Sequence, residues 1–237
     1  MGFNPLCYKN NLLQWVKTHW SKHFSIVFGR NVTSPKFSVP IFVEKSDVVP
    51  RLLHRIDRET SGVVCASLNE DFHGKVGRMF EDRCVHKTYL AVVHGAPPQD
   101  DGLVDFGIGE ARGSGIQLKM EARRDGSGQP ALTQYRVLRK NARFALVELQ
   151  PRTGRQHQIR VHMEALGCPL VGDKIYGVPE SVFFEHLENA ISAESERILV
   201  LPRHALHAHK LAFEHPFAGR EFVFEAPLPQ DLADLVP

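Results

Sequence analysis

ALTQYRVLRKNARFALVELQPRTGRQHQIRVHMEAL, residues 131–166, decides the fold class. Residues 131–140 and 142–150 are rich in Leu, Val, Tyr and Phe, with a turn signal at Asn141 between them. They read as consecutive strands. Residues 155–166 change period: Ile159, His162, Met163 and Leu166 stand at i, i+3, i+4 and i+7, the spacing of one helical face. Gly167 and Pro169 then supply a stop. Outward from this strand–strand–helix unit, residues 99–130 are Gly- and Asp-rich, with weak strands between turns. VHKTYLAVVHG (85–95) is a strand apolar on both faces, and residues 69–83 form a helix. Asn69 is its N-cap, with Phe72, Val76, Met79 and Phe80 on one face. GVVCASL (62–68) reads as a buried strand. Downstream, residues 181–192 form a second helix, and 206–215 and 220–227 two further strands. Runs of strands with a few helices predict an α+β fold built on a mainly antiparallel mixed sheet flanked by helices and loops.

The 237 residues suffice for one large domain or a domain with a small appendage. Composition is that of a soluble globular chain, 43% hydrophobic and 24% charged, with no apolar run long enough to span a membrane. The start, MGFNPLCYKNNLLQ, has neither signal-peptide architecture nor a myristoylation pattern. Cys7, Cys65, Cys84 and Cys168 are scattered, without a C-x-x-C pair. These features point to a cytosolic protein, or one in another reducing compartment, without a disulfide framework. Residues 1–50 stand apart, with a short helix expected around Asn11–Trp20 and Pro35, Pro40 and Pro50 limiting regular structure beyond it. Net charge is only +2, but basic residues cluster: Arg51, His54, Arg55 and Arg58; Lys119, Arg123, Arg124, Arg136, Arg139, Lys140 and Arg143, against Glu121 and Asp125; Arg152, Arg155 and Arg160. Such clusters suit a phosphate backbone, and equally suit solvated faces.

Three segments carry chemistry. In HRIDRETSG (54–62), Asp57 precedes a Thr60-Ser61-Gly62 turn, where a functional carboxylate would be exposed. Arg55 and Arg58 flank it and would hold it ionised. The bland reading is a turn-capping Asp. In TGRQHQIRVHMEALGCPLVGDKIYG (153–177), a Gly precedes a helix opening with Arg155, Gln156, His157 and Gln158, an arrangement suited to anions. Arg155, His157, Arg160 and His162 cannot all enter the core unpartnered, so several are expected to face a polar cleft. In KTYLAVVHG (87–95), Tyr89 reads by itself as a core tyrosine with a bonded hydroxyl.

Together these segments resemble the RluA-like pseudouridine synthases. HRIDRETSG is similar to that family's HRLD-x-x-TSG catalytic motif, and KTYLAVVHG to its Lys-x-Tyr-x-Ala-x-Val-x-Gly strand. Residues 153–177 resemble its Gly-Arg-x-His-Gln-Ile-Arg to Gly-Asp-x-x-Tyr-Gly motif. LHAHKLAFEHPFAGREFVFEAPLP resembles its C-terminal strands. The resemblance covers roughly residues 51–231, in the right order. It implies a pseudouridine-synthase fold with a catalytic cleft across the sheet, in a catalytic domain at 51–237. Asp57 falls at the essential aspartate. Tyr89 falls at the active-site tyrosine that packs on the target base, and Arg160 at the arginine that pairs with the aspartate. Arg55 matches an arginine that holds the RNA with its nucleotide extruded. Arg58, Lys87, Arg155, His157 and Gln158 are expected to contact RNA with it.

The implied reaction isomerises uridine in structured RNA, ribosomal or transfer, by a monomeric enzyme without cofactor or metal. The carboxylate would assist departure of the base either as a nucleophile at the sugar or by taking a sugar proton. Neither a P-loop nor a dinucleotide fingerprint is present in the sequence. The departure from the family is at the N-terminus. Residues 1–50 hold no Lys-Pro-x-Gly segment and no recognisable RNA-binding domain; Val43-Glu44-Lys45-Ser46 is the nearest match. Two readings compete with this one: a catalytically inactive RNA-binding protein retaining the fold, and a metal-dependent hydrolase using His204, His207, His209 and His215.

Overall fold

The computed structural model describes residues 51–67 and 69–237, together with the two-residue strands β1 (Val32–Thr33) and β2 (Lys36–Phe37). The helix expected around Asn11–Trp20 and the Pro-punctuated stretch before residue 51 lie outside these residues. The chain divides into two compact units, residues 1–86 with 210–227, and residues 87–209 with 228–237.

In the first unit, β3 (Arg51–Leu52) pairs antiparallel with β5 (Ala66–Ser67), closing a loop that contains the short strand β4 (Ser61–Gly62). The expected continuous strand over 62–68 is therefore broken. Gly62 has φ 112, and the Cys65 N–H donates to His54 Nε2 rather than to a ladder carbonyl. Val63 and Cys65 still enter the core, which is why their apolar run looked like a strand. Helix α1 (Glu70–Glu81) starts where the sequence placed it: the Asn69 side chain accepts the Phe72 N–H at 2.9 Å. Its expected face is the buried one. Phe72, Val76, Met79 and Phe80 pack with Leu211, Phe213 and Phe224, which come from the antiparallel pair formed by β12 (Leu206–Glu214) and β13 (Glu221–Glu225).

In the second unit, β6 (His86–His94), β7 (Asp101–Val104), β10 (Thr133–Lys140) and β11 (Phe144–Pro151) form a sheet in the order β6–β11–β10–β7. These pairings are antiparallel. The β10–β11 turn is held by Asn141, whose Oδ1 accepts the N–H groups of Arg143 and Phe144. Both faces of β6 are covered, which explains its continuous apolar run. Ala91 and Val93 pack beneath Ile159 and Met163 of helix α2 (Gln158–Ala165), whereas Leu90 and Val92 pack with Leu232 and Val236 of the C-terminal segment. A separate hairpin, β8 (Gly107–Glu110) with β9 (Met120–Arg123), packs Ile108, Met120 and Ala122 around Val161 on another side of α2.

Helix α3 (Glu180–Leu187) is shorter than expected. Asn189 turns to φ 55 beyond its end, and Ser192 caps a further helix, α4 (Ala193–Leu199). A one-turn helix, α5 (Gln230–Ala233), supplies Leu232. Among the described residues no helix is long and apolar enough to cross a membrane.

Candidate active site

Asp57 lies on the first unit's loop between β3 and β5. The loop is closed at its base by Leu53 N–H to Cys65 O and Cys65 N–H to His54 Nε2, each at 3.0 Å. The His54 ring stacks on Phe80, with centroids 5.2 Å apart. Within the loop the Thr60 N–H donates to the Asp57 carbonyl at 3.0 Å, so Asp57 opens a four-residue turn through its backbone. Asp57 is half-buried and Arg55 and Arg58 are exposed on the same loop.

The remaining expected residues belong to the second unit. Lys87 and Tyr89 stand two apart on β6 and so share a face. Tyr89, opposite Leu149 on β11, packs on the cluster of Ala91 and Val93. A Cβ placed on Gly154 would stand 3.8 Å from Lys87 Nζ, so this cation borders the turn leading into α2. Burial lowers the Lys87 pKa from its ordinary value.

Helix α2 begins at Gln158, three residues later than the sequence suggested. His157 adopts φ 55 at its N-cap, and no side chain caps the end. Arg155 lies in the preceding turn, its Nε donating to the Pro130 carbonyl. His157 Nδ1 is 2.9 Å from Tyr176 Oη, and the two rings meet edge to face. Gln158 was expected to touch RNA. It is instead 4% exposed and brackets the β10–β11 base. Its Oε1 accepts from Thr153 Oγ1 and the Arg155 N–H, and its Nε2 donates to the Leu132 carbonyl and Thr133 Oγ1. Gln158→Ala, small enough to admit water to the stranded groups, is expected to lower the urea unfolding free energy by about 2 kcal/mol.

Arg160 and His162 are both buried, each with partners, whereas Arg155 and His157 are half-buried in the turn before the helix. His162 is satisfied by Thr133 Oγ1 and the Phe106 carbonyl, and burial lowers its pKa, favouring the neutral ring. Arg160, charged as arginine always is in proteins, has Asp173 as its buried counter-charge. Nε and Nη2 donate to the two carboxylate oxygens at 2.7 and 2.8 Å. Burial pushes the Asp173 pKa up, but the Arg160 charge and hydrogen bonds outweigh it and bring the group to about 2. Asp173 and Tyr176 belong to the Gly-Asp-x-x-Tyr-Gly motif, to which the sequence alone assigned no role. The signal that could have found Asp173 was the need of a buried Arg for a carboxylate.

Much of the basic stretch at 119–143 is locally neutralised: Arg123 by Glu121, Arg136 by Glu148, and Lys140 by Asp100. The histidines of the hydrolase reading are divided. His204, His207 and His209 belong to the second unit, whereas His215 belongs to the first and its Nδ1 accepts from the Phe217 and Ala218 N–H groups. Among the described residues no group of three or more His, Cys, Asp or Glu side chains is placed to hold a metal ion.

Comparison with known proteins decides the family. A family model described as RNA pseudouridylate synthase matches residues 39–165, a span that includes Asp57, Tyr89 and Arg160. The chain belongs to this pseudouridylate synthase family. An uncharacterized RNA pseudouridine synthase of Bacillus subtilis is 39% identical over 187 residues, covering 79% of this chain and 55% of that protein. The ribosomal large subunit pseudouridine synthase D of Zymomonas mobilis is 36% identical over 183 residues, 77% of this chain and 54% of that protein. The chain spans about half the length of these curated relatives. Human RNA pseudouridylate synthase domain containing 4 superposes with a TM-score of 0.61 at 32% identity, covering 78% of this chain and 74% of that one. The pseudouridylate synthase fold is thus shared in sequence and in structure.

Proposed function

We propose that this chain carries the catalytic activity of an RNA pseudouridine synthase, an isomerase acting on uridine in structured RNA. The observation that carries the reading is the family match across residues 39–165, a span that contains Asp57, Tyr89 and Arg160, the residues to which the motif resemblance gives catalytic roles. The reaction breaks the bond from ribose C1′ to base N1, turns the base, and joins C1′ to C5. The C5 proton is lost and N1 ends protonated, so no electrons or groups are exchanged with a cofactor. Asp57 assists departure of the base, as nucleophile at C1′ or by taking a sugar proton. Tyr89 gives the extruded base a stacking surface and is the candidate base for the C5 proton. Arg160 keeps the reacting anion charged and fixed. Arg55, Arg58, Lys87, Arg155 and His157 grip the surrounding RNA, the exposed arginines through phosphates.

The ribosomal large subunit in the Zymomonas relative's name favours ribosomal RNA over transfer RNA as the substrate. Pseudouridine mapping across total RNA, with and without the gene, tests both points. Loss of a particular pseudouridine that returns when the purified chain is added is the expected result. RNA binding without product would favour the inactive RNA-binding reading.

A further inference from the structure

We infer that Asp173 and Tyr176 are positioning residues that fix the guanidinium plane of Arg160 for the isomerisation. The inference rests on the proposed function for its meaning, but the geometry stands within the second unit. An arginine side chain has four rotatable bonds, and a guanidinium that serves a reacting group must be held in one plane and at one height. Two contacts do this. The Asp173 carboxylate takes Nε and Nη2 together at 2.7 and 2.8 Å, the fork-to-fork geometry that fixes rotation in the plane. The guanidinium stands over the Tyr176 ring, with Cζ 4.8 Å from the centroid, and this second contact restrains its tilt.

Both holders are themselves immobilised. The Asp173 side chain is 0% exposed and also accepts the N–H groups of Ile175 and Tyr176 at 2.9 and 3.2 Å. Gly172 before it has φ +75, and a Cβ there would collide with the Arg203 carbonyl. Tyr176 Oη accepts the Met120 N–H at 3.0 Å and meets His157 Nδ1. The cradle therefore ties Arg160 to the β8–β9 hairpin and to the turn before α2. A buried ion pair is often no more stabilising than packed apolar residues of the same volume. What the pair supplies here is one fixed orientation of the guanidinium.

The test measures kcat and KM on an RNA containing the mapped uridine for Asp173→Asn, Arg160→Lys, their double variant and Tyr176→Leu. Leu232→Ala, which empties a fully buried position in another cluster of the unit, is the control for lost stability alone. The Arg160 Nε–H nitrogen-15 resonance is followed alongside, because it needs no activity. Asp173→Asn is expected to lower kcat at least tenfold with KM within twofold, and to lose slow exchange at the Arg160 Nε–H. In the Arg160→Lys background it should cost less than a further threefold. Leu232→Ala should lower Tm and leave both kcat and the resonance unchanged. Tyr176→Leu should lower kcat at least threefold, and it carries the test if Asp173→Asn does not fold. A folded Asp173→Asn with unchanged kcat, or with the Nε–H still protected, overturns the inference while leaving the proposed function standing. A wild-type chain that forms no product defeats the proposed function instead, and the resonance alone then decides the cradle.

Discussion

Asp57→Asn is expected to reduce pseudouridine formation by about a thousandfold or more while leaving the fold and RNA affinity in place. The expectation of an intact fold comes from the loop. The turn at Asp57 is closed by its backbone carbonyl accepting the Thr60 N–H, and the loop base is closed by Leu53, His54 and Cys65. Asn has the same shape as Asp and is equally at home in turns. The stability change should therefore stay within about 1 kcal/mol. What Asn lacks is the negative charge and basicity that either role of the carboxylate demands. The measurement is single-turnover product formation together with RNA binding by the same protein. More than a tenth of the wild-type rate in the variant would remove Asp57 from the chemistry. Equal loss of binding and rate would mean that Asp57 holds the RNA instead.

The parts of the fold that were legible are those whose local and tertiary signals agree. Helix α1 was readable because Asn69 caps it and Phe72, Val76, Met79 and Phe80 share the buried face. Strand β6 was readable because two different clusters cover its two faces, leaving no polar alternation to confuse it with an exposed strand. Where the reading failed, a tertiary partner had overridden local pattern. The 62–68 run is apolar because Val63 and Cys65 enter the core, yet a histidine ring receives the Cys65 N–H that a sheet would have taken. Helix α2 starts late because His157 turns left-handed. Gln158, at the helix start, resembles an anion contact in sequence but spends its amide on Thr153, Arg155, Leu132 and Thr133. In the candidate site, Asp57, Tyr89 and Arg160 were named from motifs. The Asp173 partner of Arg160 was not, because a contact spanning thirteen residues between a helix and a following loop has no local periodicity.

Arg160→Met is expected to cost about 3–5 kcal/mol of unfolding free energy at pH 7, because it leaves the Asp173 carboxylate buried without its counter-charge. The pH dependence gives the sign that separates this from simple loss of packing. In the wild type, the Asp173 pKa is lowered from 3.8 to about 2. A lowered carboxylate contributes stability that is present above its unfolded pKa and is lost as pH falls through the folded one. Acid should therefore weaken the wild type between about pH 4 and about pH 2 through this group. In the variant the Arg160 charge is gone and burial dominates, which raises the Asp173 pKa instead. That group then destabilises the fold near neutrality, and protonating it relieves the strain as pH falls. The gap between wild type and variant should be widest near pH 7 and narrow towards about pH 4. Urea unfolding across this range measures it, and a gap that does not change with pH would mean that lost packing, not stranded charge, is the cause. Adding Asp173→Leu to Arg160→Met should recover part of the loss at pH 7, since an apolar pair of similar volume avoids the desolvation of both charges. The same double variant should form no pseudouridine. Recovered stability without recovered rate would place the value of the Arg160–Asp173 pair in chemistry rather than in folding.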